Sequence, residues 1–500
     1  MRITRRGLLR AAGLAAGVVP LAKWGRDAFG LGRTILSTGS PNSVPQVEPG
    51  FAQPANGMNV ILVIVDTLRR DHVGAYGNSW IKTPTLDEVA AKGTRFSRVV
   101  PESLPTIPVR RALHTGIGTF PFRNLEHHKG DTIGLMGWQP IPDQQSTLAE
   151  ILTGSGYTTA LVSDTPHLYA PAMNFQRGFG TFRWIRGQHG DLYRPRGAAD
   201  KDRLARYLTE PLRGSRWHPA LVQYVANTDG RSNEDDWLAP RVFTEAARLL
   251  ADTAPLEPFF LVVDSFDPHE PWDPPPSYIE LYDESTIDAP EPVTPFYGNS
   301  KYLDDSQLKR MRTLYAAEVS MVDAWLGRFL DEVDHLGLLD STLLVVASDH
   351  GILLGEHEIT GKPKFALWPE LVDVPLLISH PEHRKRGVYE GYVSTHDVVP
   401  TILSALGMGR FPRMNGRDLM PYVADSDSKT VAHDIATSAF DDWVLVRTDR
   451  HELHAREDLS QNRLYDLRED PGRENPLDDR QTAEALYDLL VAEVGDPTVH

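Results

Sequence analysis

The segment MNVILVIVDTLRRDHVGAYG, Met58 to Gly77, decides the fold. Within Asn59 to Val65, every residue from Val60 on is β-branched or aliphatic, a continuous run. A strand wetted on one face alternates apolar and polar residues. An unbroken apolar run suits a strand covered on both faces, as in parallel and mixed sheets. The run stops at Asp66, a carboxylate at the carboxyl end of a core strand. Ligand sites of open α/β sheets lie at such ends.

The same texture recurs along the chain. EPFFLVVDSFDPHEPW, Glu257 to Trp272, is an apolar strand running into a polar, proline-rich loop. STLLVVASDHG, Ser341 to Gly351, is a third buried strand, ending at Asp349 and His350. TPTLDEVAAKGTRF predicts a helix with Thr85 as cap and Gly93 as stop. STLAEILTGSGYTTALVSD repeats the order helix then strand, and DVPLLISHP and DVVPTILSALG continue the alternation. LYAAEVSMVDAWLGRFLDEVDHLGLL carries helical apolar spacing over about seven turns. Such alternation predicts an α/β sheet with helices on both faces. Residues 181 to 255, with RWIRGQHGDLYRPRG among them, read as loop insertions, a usual place for specificity. Beyond about Ser426 the texture changes to short antiparallel strands, turns and one helix, RQTAEALYDLLVAEV. The expected organisation is a large domain over 57–425 and a smaller C-terminal subdomain over 426–500.

The chain has 500 residues, 41% apolar and 24% charged, as in an ordinary globular protein. Its formal net charge of -17 argues against a general nucleic-acid binder, which needs basic patches. There is no cysteine, so disulfides, thiolate metal sites and cysteine nucleophiles are excluded. The first 32 residues open with a basic region, including Arg5 and Arg6, and then an apolar run from about Ala11 to Ala22. TRRGLLR resembles a twin-arginine export signal, which is read by a receptor and does not anchor the chain. The alternatives are a basic tail or an uncleaved anchor. Export by the twin-arginine machinery to the periplasm or the exterior is the expectation, with residues 33–56 as a Ser-, Pro- and Gly-rich linker. No later stretch is long and apolar enough to span a bilayer.

Chemistry gathers at the strand ends. Asp66, Asp349 and His350 offer two carboxylates and an imidazole, a set suited to one hard or borderline divalent cation. The loop PTIPVRRALHTG, Pro105 to Gly116, supplies Thr106, whose hydroxyl becomes a nucleophile when held against a metal. Arg110 offers a forked donor for a tetrahedral oxyanion. His269, in DPHEP, and Lys362, in TGKPK, offer further donors or a leaving-group acid. Each residue alone also has a plain reading: a turn, a helix cap or a surface charge. Their ordered co-occurrence gives the pattern its weight.

The chain resembles the sulfatase family of the alkaline phosphatase superfamily. TIPVRRALHTG matches the family's loop, Cys or Ser, x, Pro, x, Arg, then five residues to Gly, except at Thr106. NVILVIVDTLRRDHVGAYG and VVASDHGILLGEHEITGK are similar to its two metal loops, and FDPHEPW carries its substrate-site histidine as His269. STHDVVPTILSALG and RLYDLREDPGRENPL resemble its later landmarks. The resemblance implies an alkaline-phosphatase-like large mixed sheet sandwiched by helices, with a smaller C-terminal antiparallel-sheet-plus-helix subdomain. It implies a hydrolase of small anionic esters with one divalent metal, whether Ca, Mg, Mn or Zn. Asp66, Thr106, Asp349 and His350 would bind the metal. Thr106, Arg110, His269 and Lys362 would carry the chemistry.

Three departures qualify this. The family's sulfate-ester hydrolases convert the loop Cys or Ser to formylglycine, and threonine is no substrate for that conversion. Superfamily members with Thr or Ser nucleophiles act on phosphate esters, so Thr106 implies phosphoryl rather than sulfuryl transfer. Thr67 stands where many sulfatases have a second Asp. Asp164 falls about where the family has a substrate lysine, with His167 offset by one residue. A further set, Asp264, Asp267, His269 and His396, is the alternative for two metals. His357 reads as substrate-facing, supporting or structural. The alternative functions are transfer of a phospho group to an alcohol acceptor, and a non-catalytic binding relative.

Overall fold

The computed structural model describes residues 54, 56–123, 133–283, 285–383, 387–425, 428 and 431–499. The export signal, and the linker but for Pro54 and Asn56, lie outside the described residues. The main sheet has eight strands: β1 (Asn59–Val65), β2 (Thr94–Val99), β3 (Thr158–Ser163), β4 (Thr181–Trp184), β5 (Phe259–Ser265), β6 (Thr342–Ser348), β7 (Val374–Ser379) and β8 (Gly387–Val393). Their order is β8-β2-β7-β6-β1-β5-β3-β4. The sheet is mixed, because β7 runs antiparallel to both β2 and β6.

β1 sits inside the sheet, parallel to β5 and β6, with Val65 level with Ser265 and Ser348. Its apolar run, Val60–Val65, has a direct cause. Val60, Leu62 and Ile64 enter one hydrophobic core, while Ile61, Val63 and Val65 enter the core on the other face. The first core takes helices α2 (Thr106–Thr115), α3 (Leu148–Gly154) and α6 (Val398–Ala405) through side chains such as Val109, Leu152 and Ile402. The second takes α1 (Pro84–Lys92), α4 (Leu238–Thr253) and α5 (Asp305–His335) through Leu86, Phe243 and Phe329. A separate antiparallel sheet of β9 (Ala436–Phe440), β10 (Trp443–Arg447), β11 (His451–Arg456) and β12 (Asn462–Asp466) packs on α7 (Arg480–Val494).

Two local expectations are corrected. Thr83, not Thr85, stands at the N-cap of α1, and Pro84 takes the first helical position, where its fixed φ fits. The free N–H groups of Thr85 and Leu86 instead donate to Asp323 on α5, at 3.0 and 2.8 Å. Residues 181–255 are not simply loops. They hold β4, the helix His218–Asn227 and α4, whose Leu238, Val242, Phe243, Ala246, Leu249 and Leu250 bury one face. The Arg- and Trp-rich composition around them masked this periodicity.

Candidate active site

α2 explains the spacing of the T-x-P-x-R loop. Thr106 opens the helix and Arg110 follows four residues later, so both side chains leave on one side. Pro108 falls in the first turn, where no backbone N–H partner is needed. All ten residues of α2 are buried, so the helix has no solvent-facing side, and its polar side, with Thr106 and Arg110, is turned inward.

Three parallel strands then deliver three carboxylates to Arg110: Asp66 after β1, Asp264 near the end of β5 and Asp349 after β6. The guanidinium is fully buried. Nε donates to Asp264 Oδ2 at 2.9 Å and Nη2 to Asp264 Oδ1 at 2.8 Å. Nη1 donates to Asp349 Oδ2 at 2.5 Å and stands 3.0 Å from Asp66 Oδ2. The Arg110 fork is thus directed at carboxylates. Burial, then Asp349, pushes the Asp66 carboxyl well above its usual range. Asp349 is held below that range: burial acts the other way, but His350, Arg110 and the Thr67 N–H outweigh it.

His350 Nδ1 lies 3.0 Å from the Gly351 carbonyl, which can only accept, so the ring proton is assigned to Nδ1. Burial lowers the imidazole to about 4, so it is neutral at pH 7. Its Nε2 lone pair then faces Thr106 Oγ1 at 3.3 Å, Asp349 Oδ2 at 3.5 Å and Asp66 Oδ1 at 3.9 Å. Asp66 Oδ2, close to Arg110 as it is, makes no well-directed hydrogen bond. Converging lone pairs and surplus buried negative charge call for a cation. Ligand atoms of Asp66, Asp349 and His350 lie within 4.8 Å of one another, so the residues present fit a divalent metal.

Thr67 ties this cluster to Lys362. It is a β-branched residue at φ 60°, a conformation that only surrounding contacts sustain. Its N–H donates to Asp349 Oδ1 at 2.9 Å, its hydroxyl donates to Asp66 Oδ1 at 2.6 Å, and its carbonyl accepts from Tyr315 at 2.8 Å. Lys362 Nζ donates to Thr67 Oγ1 and to Glu270 Oε2, both at 3.3 Å. His269 stacks on Phe266 with centroids 4.1 Å apart, and its Nδ1 lies 2.8 Å from the Glu270 carbonyl. Burial, then Lys362, lowers the His269 imidazole well below its ordinary range.

Thr106, Asp66, Asp349, His350, Arg110, Thr67 and Lys362 therefore join one buried cluster, with Glu270 linking Lys362 to His269. Sequence reasoning passed over Glu270, whose second oxygen accepts from Tyr297; its place beside His269 was the available signal. It also gave Asp264 no role as the clamp of Arg110. The alternative two-metal set does not come together. Asp264 faces Arg110, Asp267 accepts from Gln188 and from the Ala239 N–H at 3.0 Å, and His396 stands beside Asp397 and His433. Asp164 accepts from Phe266 N–H at 2.7 Å and from Gln188 at 3.0 Å. His167 packs edge-on to Trp138 at 5.1 Å, and His357 stacks on Trp368 at 4.2 Å.

The sulfatase family model matches residues 58–408. Over 422 residues the chain is 27% identical to a multifunctional alkaline phosphatase superfamily protein of Trinickia caryophylli, covering 75% of this chain and 79% of that one. It is 23% identical over 452 residues to an arylsulfatase of Clostridium perfringens, covering 83% and 88%. A phosphonate monoester hydrolase of Agrobacterium radiobacter shares the fold, with TM-score 0.67, 20% identity and coverage of 87% of this chain and 95% of that chain. Among the described residues no helix is long and apolar enough to cross a membrane. On the family match, which runs from β1 through α6, the chain belongs to the sulfatase family, ester hydrolases of the alkaline phosphatase superfamily.

Proposed function

We propose that the protein hydrolyses phosphate or phosphonate esters in two displacements, with Thr106 as nucleophile. The observation that carries this reading is the Thr106 hydroxyl, buried at a helix N-terminus and 3.3 Å from His350 Nε2 within the carboxylate cluster. Asp66, Asp349 and His350 would hold a divalent cation. Its chemistry is activation of the hydroxyl and charge neutralisation on the ester. Deprotonated Thr106 attacks phosphorus; the Oγ–P bond forms, the ester P–O bond breaks and the leaving oxygen takes a proton from Lys362. Water then attacks phosphorus, giving a proton to the neutral Lys362; the new P–O bond forms, the Oγ–P bond breaks and Thr106 leaves as the oxyanion that began the cycle. The first-turn N–H groups of α2 favour the anion.

Lys362 is the better proton donor for a stated reason. His269 is neutral and its Nδ1 is committed to a carbonyl, so the ring offers an acceptor nitrogen. Phosphorus is preferred to sulfur because a threonine ester cannot be expelled by elimination from a geminal diol. Arg110 holds the carboxylates in place. The organic group would extend towards the segment after β4. In that segment the His189 ring stands 6.2 Å from His269 and Arg186 lies 4.1 Å over Trp184 of β4, which stacks on Tyr169, beyond β3, at 4.7 Å.

The test is turnover of nitrophenyl phosphate, phosphate diester, phosphonate and sulfate by purified protein beside Thr106→Ala. The expected result is hydrolysis of phosphorus esters, reduced at least about 10²-fold in the variant. Cleavage of the sulfate alone would overturn the choice of phosphorus. Equal turnover by both proteins would remove Thr106 as nucleophile.

A further inference from the structure

We infer that His396, Asp397 and His433 form a second cation site, separate from the cluster around Thr106 and suited to Zn2+. Asp397 immediately precedes α6 and is fully buried. Its carboxylate is pinned by two backbone donors: Ser394 N–H to Oδ2 at 2.8 Å and Arg417 N–H to Oδ1 at 2.6 Å. Each oxygen keeps one lone pair. His433 Nε2 lies 2.9 Å from Oδ2 and 3.1 Å from Oδ1. His396 Nε2 lies 3.9 Å from Oδ1.

An ion pair between His433 and Asp397 explains one imidazole and leaves the other unexplained. His396 is only 9% exposed, its Nδ1 has no hydrogen-bond partner, and its Nε2 is too far from Asp397 to make one. Nδ1 is thus buried without a partner, which is costly. A cation between the two rings gives the His396 imidazole, through the nitrogen nearer Asp397 and His433, the partner that Asp397 is too far away to be. The ligand atoms of the three residues lie within 4.8 Å of one another. Two ligands on a tetrahedral Zn2+ stand about 3.3 Å apart, so small side-chain shifts close the site. Two imidazoles and one carboxylate form a borderline donor set that matches Zn2+ better than Ca2+ or Mg2+.

Both rings line a cavity of about 320 Å³, which supplies an access route and room for a water as fourth ligand. The charged groups facing that cavity are Arg410 and Arg417 on one side of the balance and Glu102 and Glu493 on the other. Arg417 is itself drawn to Glu493, at 3.8 Å. His396 belongs to the turn before α6 and His433 to the segment leading into β9. A cation here would staple the second sheet to the first, a stabilising role independent of ester hydrolysis.

Zn2+ retained after exhaustive dialysis against metal-free buffer is counted per chain by elemental analysis. Wild type is compared with His396→Gln, His433→Gln and an Asp349→Ala/His350→Ala double variant. The expected result is one equivalent fewer in each glutamine variant than in wild type. The double variant keeps one equivalent and shows a Zn2+-dependent rise in its unfolding midpoint, and adding His433→Gln abolishes both. Glutamine variants that hold as much Zn2+ as wild type, or a folded double variant that holds none, overturn the proposal. If the double variant does not fold, the one-equivalent difference between wild type and His396→Gln decides alone.

Discussion

Asp264 and Arg110 form a two-bond, fully buried pair, Nε to Oδ2 at 2.9 Å and Nη2 to Oδ1 at 2.8 Å. That pair fixes the plane of the guanidinium, and the plane aims Nη1 at Asp66 and Asp349. The remaining carboxylates are set at one remove by Asp264. Removing the cation leaves three buried carboxylates without their shared partner. Arg110→Ala is expected to lose about 3–5 kcal/mol of stability, the range for breaking a buried pair. Arg110→Lys keeps the charge but not the fork, so it should recover part of the stability and little of the activity. Urea unfolding of both variants, with turnover measured beside it, checks this. Full activity in Arg110→Lys would mean that the fork geometry is unimportant.

The fold was legible where burial on both faces leaves an unmistakable mark. Val60–Val65 and Leu343–Ala347 are apolar because each run alternates between two cores, and Phe259–Ser265 is apolar up to Asp264. The strand ends then located Asp66, Asp349 and His350 by chemistry alone. What stayed hidden was long-range. That Asp323 caps α1 from α5, 237 residues away, leaves no trace near Thr83. That Arg110 turns its fork on carboxylates depends on three strand ends meeting, and no local window contains them. In buried α2 the four-residue spacing of Thr106, Arg110 and His114 marks an inward-facing side and not the solvent-facing one by which a surface helix is read. The apolar spacing of α4, Leu238, Val242, Ala246 and Leu249, is present in the sequence but is flanked by polar, Arg- and Trp-rich segments that read as loop.

Lys362 as leaving-group acid makes a prediction about substrates. A nitrophenolate departs without protonation, whereas a simple alkoxide does not. Lys362→Ala should therefore lose about 10²–10⁴-fold on an alkyl ester and much less on a nitrophenyl ester. The measurement is the dependence of kcat/KM on leaving-group basicity, which should be steeper in the variant. A uniform loss across leaving groups would assign Lys362 to charge stabilisation instead. Glu270→Gln should resemble a weaker form of the same variant, because Glu270 Oε2 holds Nζ at 3.3 Å.

Metal removal should act on stability as well as on turnover. With Asp66, Asp349 and His350 all buried, chelation leaves converging lone pairs without a cation. Prolonged dialysis against a strong chelator is expected to abolish ester hydrolysis and lower the thermal midpoint. Added divalent metal should raise the midpoint with concentration, since a ligand that binds only the native state stabilises by mass action. Asp349→Ala should lose this site's share of the rise and keep only that of the His396 site. Activity that survives chelation, with no metal left in the protein, would remove the cation from the chemistry.

The last prediction concerns Glu102, which lies in the wall of the cavity beside His396 and takes no part in the Thr106 cluster. Its carboxylate accepts the N–H groups of Thr119 and Phe120, both at 3.1 Å. Burial nevertheless raises it from 4.5 to about 7, outweighing those two donors. The sign follows from where the proton binds more tightly. The folded protein holds it more firmly than the unfolded chain, so its contribution is complete below 4.5 and is lost as pH rises through about 7. At most this is on the order of 3 kcal/mol across the window, from the size of the shift. Glu102→Gln cannot titrate and keeps a carbonyl for one N–H donor, at the cost of presenting an amide donor to the other. It should be less stable than wild type at acid pH, and its own stability should change less between pH 5 and 8. Urea midpoints of the two proteins across that range decide the matter. Parallel curves would show that the Glu102 carboxyl is ionised in the folded protein throughout, and that its two backbone donors outweigh its burial.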